Sequence, residues 1–144
     1  GQILLKSLLA LVDEDTAAFN RIMDAFKLPK ATDEEKEART QAIQDATLYA
    51  TEVPLRTMKA AHSVFPLLRR MAETGNPASV SDAGVGALAA RSAVLGAFLN
   101  VRINAKGLKN RDLADRLLAE AAQVAADAEV AEREVLDIVN AKIG

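Results

Sequence analysis

LVDEDTAAFNRIMDAFKLPKATDEE, Leu11 to Glu35, holds the body of one helix, a stop and the start of another. Leu8, Val12, Asp15, Phe19, Ile22 and Phe26 recur at alternating spacings of four and three, which marks one stripe of an amphipathic helix. This helix is expected to run from about Ile3 to Phe26 or Lys27. Pro29 biases Leu28 away from helical geometry and ends it. Thr32 followed by Asp33, Glu34 and Glu35 is a T-x-x-E capping pattern whose acids suit the positive end of a helix dipole. A second helix should therefore start near Asp33.

The acids inside the first helix differ in phase. At about 100° per residue, Asp13 and Glu14 are rotated roughly 160° and 100° from Asp15. They are free to meet water or a pairing charge, whereas Asp15 falls on the apolar stripe. A carboxylate on such a stripe must be paired, hydrogen-bonded or protonated, because unpaired burial costs several kcal/mol. Burial would also raise its pKa and make it useful as a proton donor near neutral pH. The structural alternative is an arginine partner from another helix, or a stripe that is wet at this level.

Farther along, Pro54 should kink or interrupt the second helix, and a third piece is expected from Pro54 to about Thr74, with Pro66 as another kink. Gly75-Asn76-Pro77 reads as a left-handed cap and a stop. Ser79 or Ser81 can cap a fourth helix reaching about Asn104, with Ser81 and Asp82 most simply read as caps. Gly84, Gly86 and Gly96 in this helix point to close approach of neighbouring backbones, since each costs roughly 1 kcal/mol of helix propensity. Residues 105–110, AKGLKN, form a turn, and Asn110 can cap a last helix to about Lys142 with a surface-exposed or partner-facing character. The expected fold is all-α: one antiparallel helical bundle of a single domain, residues 1–144, with a Pro-kinked long helical segment.

Bulk composition narrows the function classes. Half of the 144 residues are hydrophobic, enough for a buried core, and 18 basic against 20 acidic residues give a net charge of −2. That balance gives no general attraction to nucleic acid or anionic lipid. The chain has no cysteine, which removes disulfides, thiolate nucleophiles and cysteine-ligated metals, and fits a reducing, cytoplasmic setting. No apolar run is read as approaching the roughly 20 residues of a bilayer span, and the N-terminal GQILLKSLLALVDED lacks a small-residue cleavage site. One histidine, His62, cannot build a histidine-rich metal site, and neither a Walker loop nor G-x-G-x-x-G occurs, so no metal and no nucleotide cofactor is expected. Asn100 and Asn104 share a helix face and serve either as interhelical hydrogen-bond partners or as ligand contacts.

Taken together and in order, LVDEDTAAF, LPKATDEEKEAR, EVPL, GNPASVSD and NVRIN resemble the cyclodeaminase/cyclohydrolase family of folate enzymes, over nearly the whole chain. The family includes the C-terminal domain of formiminotransferase-cyclodeaminase and stand-alone methenyltetrahydrofolate cyclohydrolases. The resemblance implies an all-helical, dimeric enzyme that needs no metal or nucleotide and takes a tetrahydrofolate derivative as its substrate. It implies that Asp15, matching the second aspartate of the family's VDxD pair, donates and accepts the proton. Family members carry a PGGGS-like glycine-rich segment and a helix ahead of the region matched here. On that reading the chain is the C-terminal part of the family's domain, lacking its N-terminal helical segment.

Three functional readings follow. The first is formimidoyltetrahydrofolate cyclodeaminase, which forms 5,10-methenyltetrahydrofolate and ammonia in histidine degradation, and which the LPKATDEEK stretch favours. The second is methenyltetrahydrofolate cyclohydrolase, using the same acid. The third is a non-catalytic helical dimerisation module whose polar residues only fix register. Asp82, Asn100, Asn104 and Lys106 are the candidate substrate contacts, with Arg102 and Lys109 as further cations for a glutamate tail. Asp82 and Asn100 lie eighteen residues apart, about five helical turns and roughly 27 Å, so one subunit cannot bring both to one small group. Expected partners are the folate itself, a second copy of the chain, and a fused or coupled formiminotransferase, with neither nucleic acid nor membrane.

Overall fold

The computed structural model describes residues 2–144, with side chains described at Lys6, at Ala10 and from Asp13 onward. All regular structure among them is helical, as expected: α1 (Gln2–Phe26), α2 (Asp33–His62), α3 (Phe65–Thr74), α4 (Pro77–Ala105) and α5 (Arg111–Ile143). Leu8 and Val12 of the expected α1 stripe lie outside the described side chains.

The helix starts follow local chemistry. Thr32 caps α2 by accepting from the Glu35 N–H at 3.1 Å, and Asn110 caps α5 by accepting from the Leu113 N–H at 3.1 Å. The start of α4 differs from expectation. Asn76, not Ser79 or Ser81, is its cap, accepting from the Ser79 N–H at 3.0 Å, because Pro77 fits the first helical position and leaves the preceding residue as the cap. Asp82 is therefore a second-turn residue rather than a cap. Gly75 has φ −79°, so no left-handed cap forms. A Cβ there would lie 2.5 Å from the Met71 carbonyl oxygen and 2.7 Å from the Ser79 Cβ, and this close approach is what calls for glycine.

The prolines also act differently from expectation. α2 runs through Pro54 to His62, and Pro66 sits in the first turn of α3, where its missing N–H costs nothing. The break between the two helices is at Ser63–Val64.

Neighbouring helices pair antiparallel. Glu14 meets Arg56 while Arg39 donates to the Phe26 carbonyl, which fixes α1 against α2. Asn104 reaches Ala50 while Gln44 reaches Gly107, which fixes α4 against α2. Gly84 faces Val139 and Arg91 pairs with Glu132 at 3.5 Å, which fixes α4 against α5. The main core joins α2, α3, α4 and α5 around Met58, Phe65, Val80, Val94, Val101 and Val135. Alanines provide much of it: Ala83, Ala87, Ala121 and Ala128 are fully buried, which lets the helices approach closely. α5 is thus a core helix with a charged outer face, not only a surface or partner-facing one.

Two of the three α4 glycines meet the expectation of close packing. A Cβ at Gly86 would lie 2.7 Å from Leu68 and one at Gly84 3.3 Å from Val139, but one at Gly96 would meet nothing within 4 Å. α4 is also, among the described residues, long and apolar enough to cross a bilayer by length and composition, contrary to the expectation that no such run exists. Here one side of it packs into the core on α2, α3 and α5, and a third of its most apolar window is buried.

Candidate functional site

α1 touches the bundle through α2. Ala18 and Ala25 are buried, and Ile22 packs with Ala18, Tyr49, Ala50 and Val53. The face that meets α2 is therefore Ala18–Ile22–Ala25, about 60–100° around the helix from the Asp15–Phe19–Phe26 side. Phe19 is 62 % and Phe26 49 % exposed, and Asp15 is exposed as well. The expected stripe is thus corrected in phase: small alanines carry the contact, and the larger residues flank it. Asp15 is not buried within its own chain, so the expected burial of a carboxylate on an apolar stripe does not occur there.

Glu14 sets the rotation of α1. Its carboxylate pairs with Arg56 at 2.8 Å and accepts from the Tyr49 hydroxyl at 3.3 Å, both on α2. The Arg21 guanidinium lies 4.3 Å from the centroid of the same Tyr49 ring. With Glu14 held on α2, the next residue, turned by about 100°, points along the groove beside it.

That groove is the candidate site. Asp15, Phe19 and Ile22 of α1, Ala50 of α2, and Asn100 and Asn104 of α4 line a cleft of about 180 Å³. α1 and α4 form its sides and α2 its floor. Three of the five candidate residues, Asp15, Asn100 and Asn104, are therefore brought together although the first and last are separated by 89 positions. Asp82 lies five turns up α4, and Lys106 forms the C-cap of α4; neither lines the cleft. Arg102 sits over the Phe98 ring at 5.5 Å.

The polar end of the cleft is braced. Pro54 has no N–H, so the carbonyl of Ala50, its partner four residues earlier in α2, lacks the usual helical donor. The Asn104 Nδ2 supplies it at 2.8 Å. Below this contact, Gln44 donates to the Gly107 carbonyl at 3.1 Å and accepts from the Lys109 N–H at 2.8 Å, locking the α4–α5 turn onto α2. Phe19 is the site residue that sequence reasoning placed in the core. Its spacing of four from Asp15 was the available signal that the two share a side.

The cleft combines one carboxylate, two amides and an aromatic ring with the aliphatic side chains of Ile22 and Ala50. Its volume is below the roughly 300–1,000 Å³ of sites for drug-sized ligands, so it has room for only part of a molecule of that size. Residues 2–123 match the family described as formiminotransferase-cyclodeaminase.

The chain belongs to the formiminotransferase-cyclodeaminase family. Within it, the chain is 39 % identical over 140 residues to the methenyltetrahydrofolate cyclohydrolase of Methylorubrum extorquens, covering 97 % of this chain and 67 % of that one. It is 39 % identical over 126 residues to the formimidoyltransferase-cyclodeaminase of Gallus gallus, covering 83 % of this chain but 23 % of that one. The crystal structure of formiminotetrahydrofolate cyclodeaminase from Thermotoga maritima superposes with a TM-score of 0.78 at 23 % identity, over 94 % of this chain and 63 % of that one, a likeness of fold. This family member thus spans about two thirds of the cyclohydrolase and under a quarter of the bifunctional enzyme.

Proposed function

We propose that the chain acts on a tetrahydrofolate derivative in one-carbon chemistry, with Asp15 as the proton-transferring group. The observation that carries this reading is the convergence of Asp15, Asn100 and Asn104 on one cleft from two helices that flank a third. In the cyclodeaminase reaction the folate N10 attacks the formimino carbon and loses its proton, and the departing amine gains one and leaves as ammonia. A single carboxylate takes the first proton and returns it to the second, with no metal or nucleotide required. In the cyclohydrolase reaction the same carboxylate takes a proton from water as it adds to the methenyl carbon, and returns it to N5 as the C–N5 bond breaks and the hydroxyl proton is lost to solvent, leaving a formyl group on N10.

The stretch from Leu28 to Lys36 favours the cyclodeaminase. The 97 % coverage of this chain by a relative named as a cyclohydrolase supports the second reading. Ammonia release from 5-formiminotetrahydrofolate, assayed against hydrolysis of 5,10-methenyltetrahydrofolate, separates them. In whichever assay is positive, Asp15→Asn lowers kcat by about 100-fold or more while the far-ultraviolet CD spectrum and folate binding persist. Near-normal turnover in that variant would remove Asp15 from the mechanism. A chain that binds no reduced folate, with its relatives' N-terminal segment supplied, would favour the non-catalytic assembly module.

A second copy of the chain is the partner this reading includes. Val85, Leu88, Leu95, Leu99 and Ile103 stay 41–64 % exposed along one side of α4, beside the open Gly96. An antiparallel pairing of two α4 helices centred near residue 91 would set Asp82 of one copy opposite Asn100 of the other. It would also add a wall to a cleft too small for a whole folate. Coupling to a formiminotransferase remains part of the proposal, since the family includes proteins with both names.

A further inference from the structure

We infer that Pro54 is a positioning residue for the cleft, acting through Asn104, an inference that rests on the folate reading above. Pro54 is buried inside α2, where a proline is strongly unfavourable relative to alanine in an ordinary helix interior. Its effect is specific. It withdraws the donor from the Ala50 carbonyl, and Ala50 is the α2 residue that floors the cleft. The Asn104 amide spans from α4 to that carbonyl, 54 residues away in sequence, at 2.8 Å.

This contact fixes which way the Asn104 amide faces. Only its NH2 group can satisfy a carbonyl, so one Nδ2 hydrogen is committed to Ala50, and the amide turned this way offers a ligand its Oδ1 as an acceptor alongside the second Nδ2 hydrogen. Asn104 therefore presents an acceptor, beside the Asp15 carboxylate, to an N–H of the bound molecule. A reduced folate offers such donors on its pterin ring, and 5-formiminotetrahydrofolate a further one at N10. The cleft then favours a ligand with an N–H facing Oδ1 of Asn104, and a carbonyl placed at that same point would leave two acceptors opposed.

The inference separates from a purely structural role of Pro54 because it predicts opposite effects on stability and on binding. Pro54→Ala returns an N–H to the Ala50 carbonyl, so Tm should not fall. The new donor competes with Asn104 for the same oxygen, the amide is freed to turn, and KM for the folate rises about 5-fold with little change in kcat. Asn104→Ala in the wild-type background leaves the Ala50 carbonyl unpaired and lowers Tm by about 5 °C. In the Pro54→Ala background the same truncation should cost less than half as much. Equal Tm losses in the two backgrounds, or an unchanged KM in Pro54→Ala, would overturn the inference. The thermal cycle needs no substrate, so a chain that fails to turn over folate but shows the coupling refutes the proposed function and the ligand half of this inference, while equal losses refute the Pro54–Asn104 link itself.

Discussion

Phe19 illustrates at the scale of one residue how size and burial part company. A phenylalanine at 62 % exposure contributes little to the core, yet it stands on the rim of the cleft one turn from Asp15. Phe19→Ala should leave Tm within about 2 °C of wild type and raise KM for the folate about 5-fold, the amount expected for loss of one aromatic contact. Thermal unfolding and steady-state kinetics on the same preparation check it; a large drop in Tm with unchanged KM would return Phe19 to a packing role. Asp15 teaches the same lesson from the polar side. Its separation from Asp13 and Glu14 was legible because helical phase is a local property. Its environment was not, because whether a side of a helix is covered depends on which side of it α2 occupies. Glu14, read only as a solvated or pairing charge, decides that by holding Arg56 and Tyr49.

At the scale of elements, caps and breakers followed sequence chemistry wherever the deciding contact spans a few residues. Thr32 and Asn110 cap as their patterns require, and Asn76 displaces the serines for a reason already visible in Pro77. The glycines divide by what faces them. At Gly75 an added Cβ would meet backbone and a Cβ at 2.5–2.7 Å, so Gly75→Ala should lower Tm by several degrees and disturb the α3–α4 joint. At Gly96 an added Cβ meets nothing within 4 Å in one chain, so helix propensity alone would raise the stability of that chain by up to about 1 kcal/mol. Denaturant titration of both variants tests this pair. A destabilised Gly96→Ala, losing stability as the protein is diluted, would mean that another backbone packs there.

At the scale of the molecule, the open side of α4 bears on assembly. Five large apolar residues left 41–64 % exposed on one side of a helix make a stripe that a second copy can cover. Sedimentation should find twice the chain mass at micromolar concentration, and Leu99→Glu should shift it to the monomer while preserving helical CD. A wild-type chain that stays monomeric throughout would remove the second copy from the proposed site. If the dimer forms, mixing Asp82→Asn and Asp15→Asn subunits tests whether Asp82 acts across the interface.

The amino-acid sequence by itself determined the helices, most of their ends, the absence of cysteine chemistry and the family to which the order of its motifs points. Each of these depends on contacts within one or two turns or on residue identities in a row. Tertiary structure alone decided that Ala18 and Ala25 rather than Phe19 and Phe26 are buried against α2, and that Asp15 lines one cleft with Asn100 and Asn104. It alone decided that the carbonyl left unpaired by Pro54 is answered from α4. Pro54 announces a missing donor in the sequence, but a hydrogen bond between residues 54 positions apart exists only after α2 and α4 have packed antiparallel in one register. That packing buries residues of both helices, Leu55 and Met58 of α2 with Val94 and Val101 of α4 among them, and none of these carries a local signal of its partner.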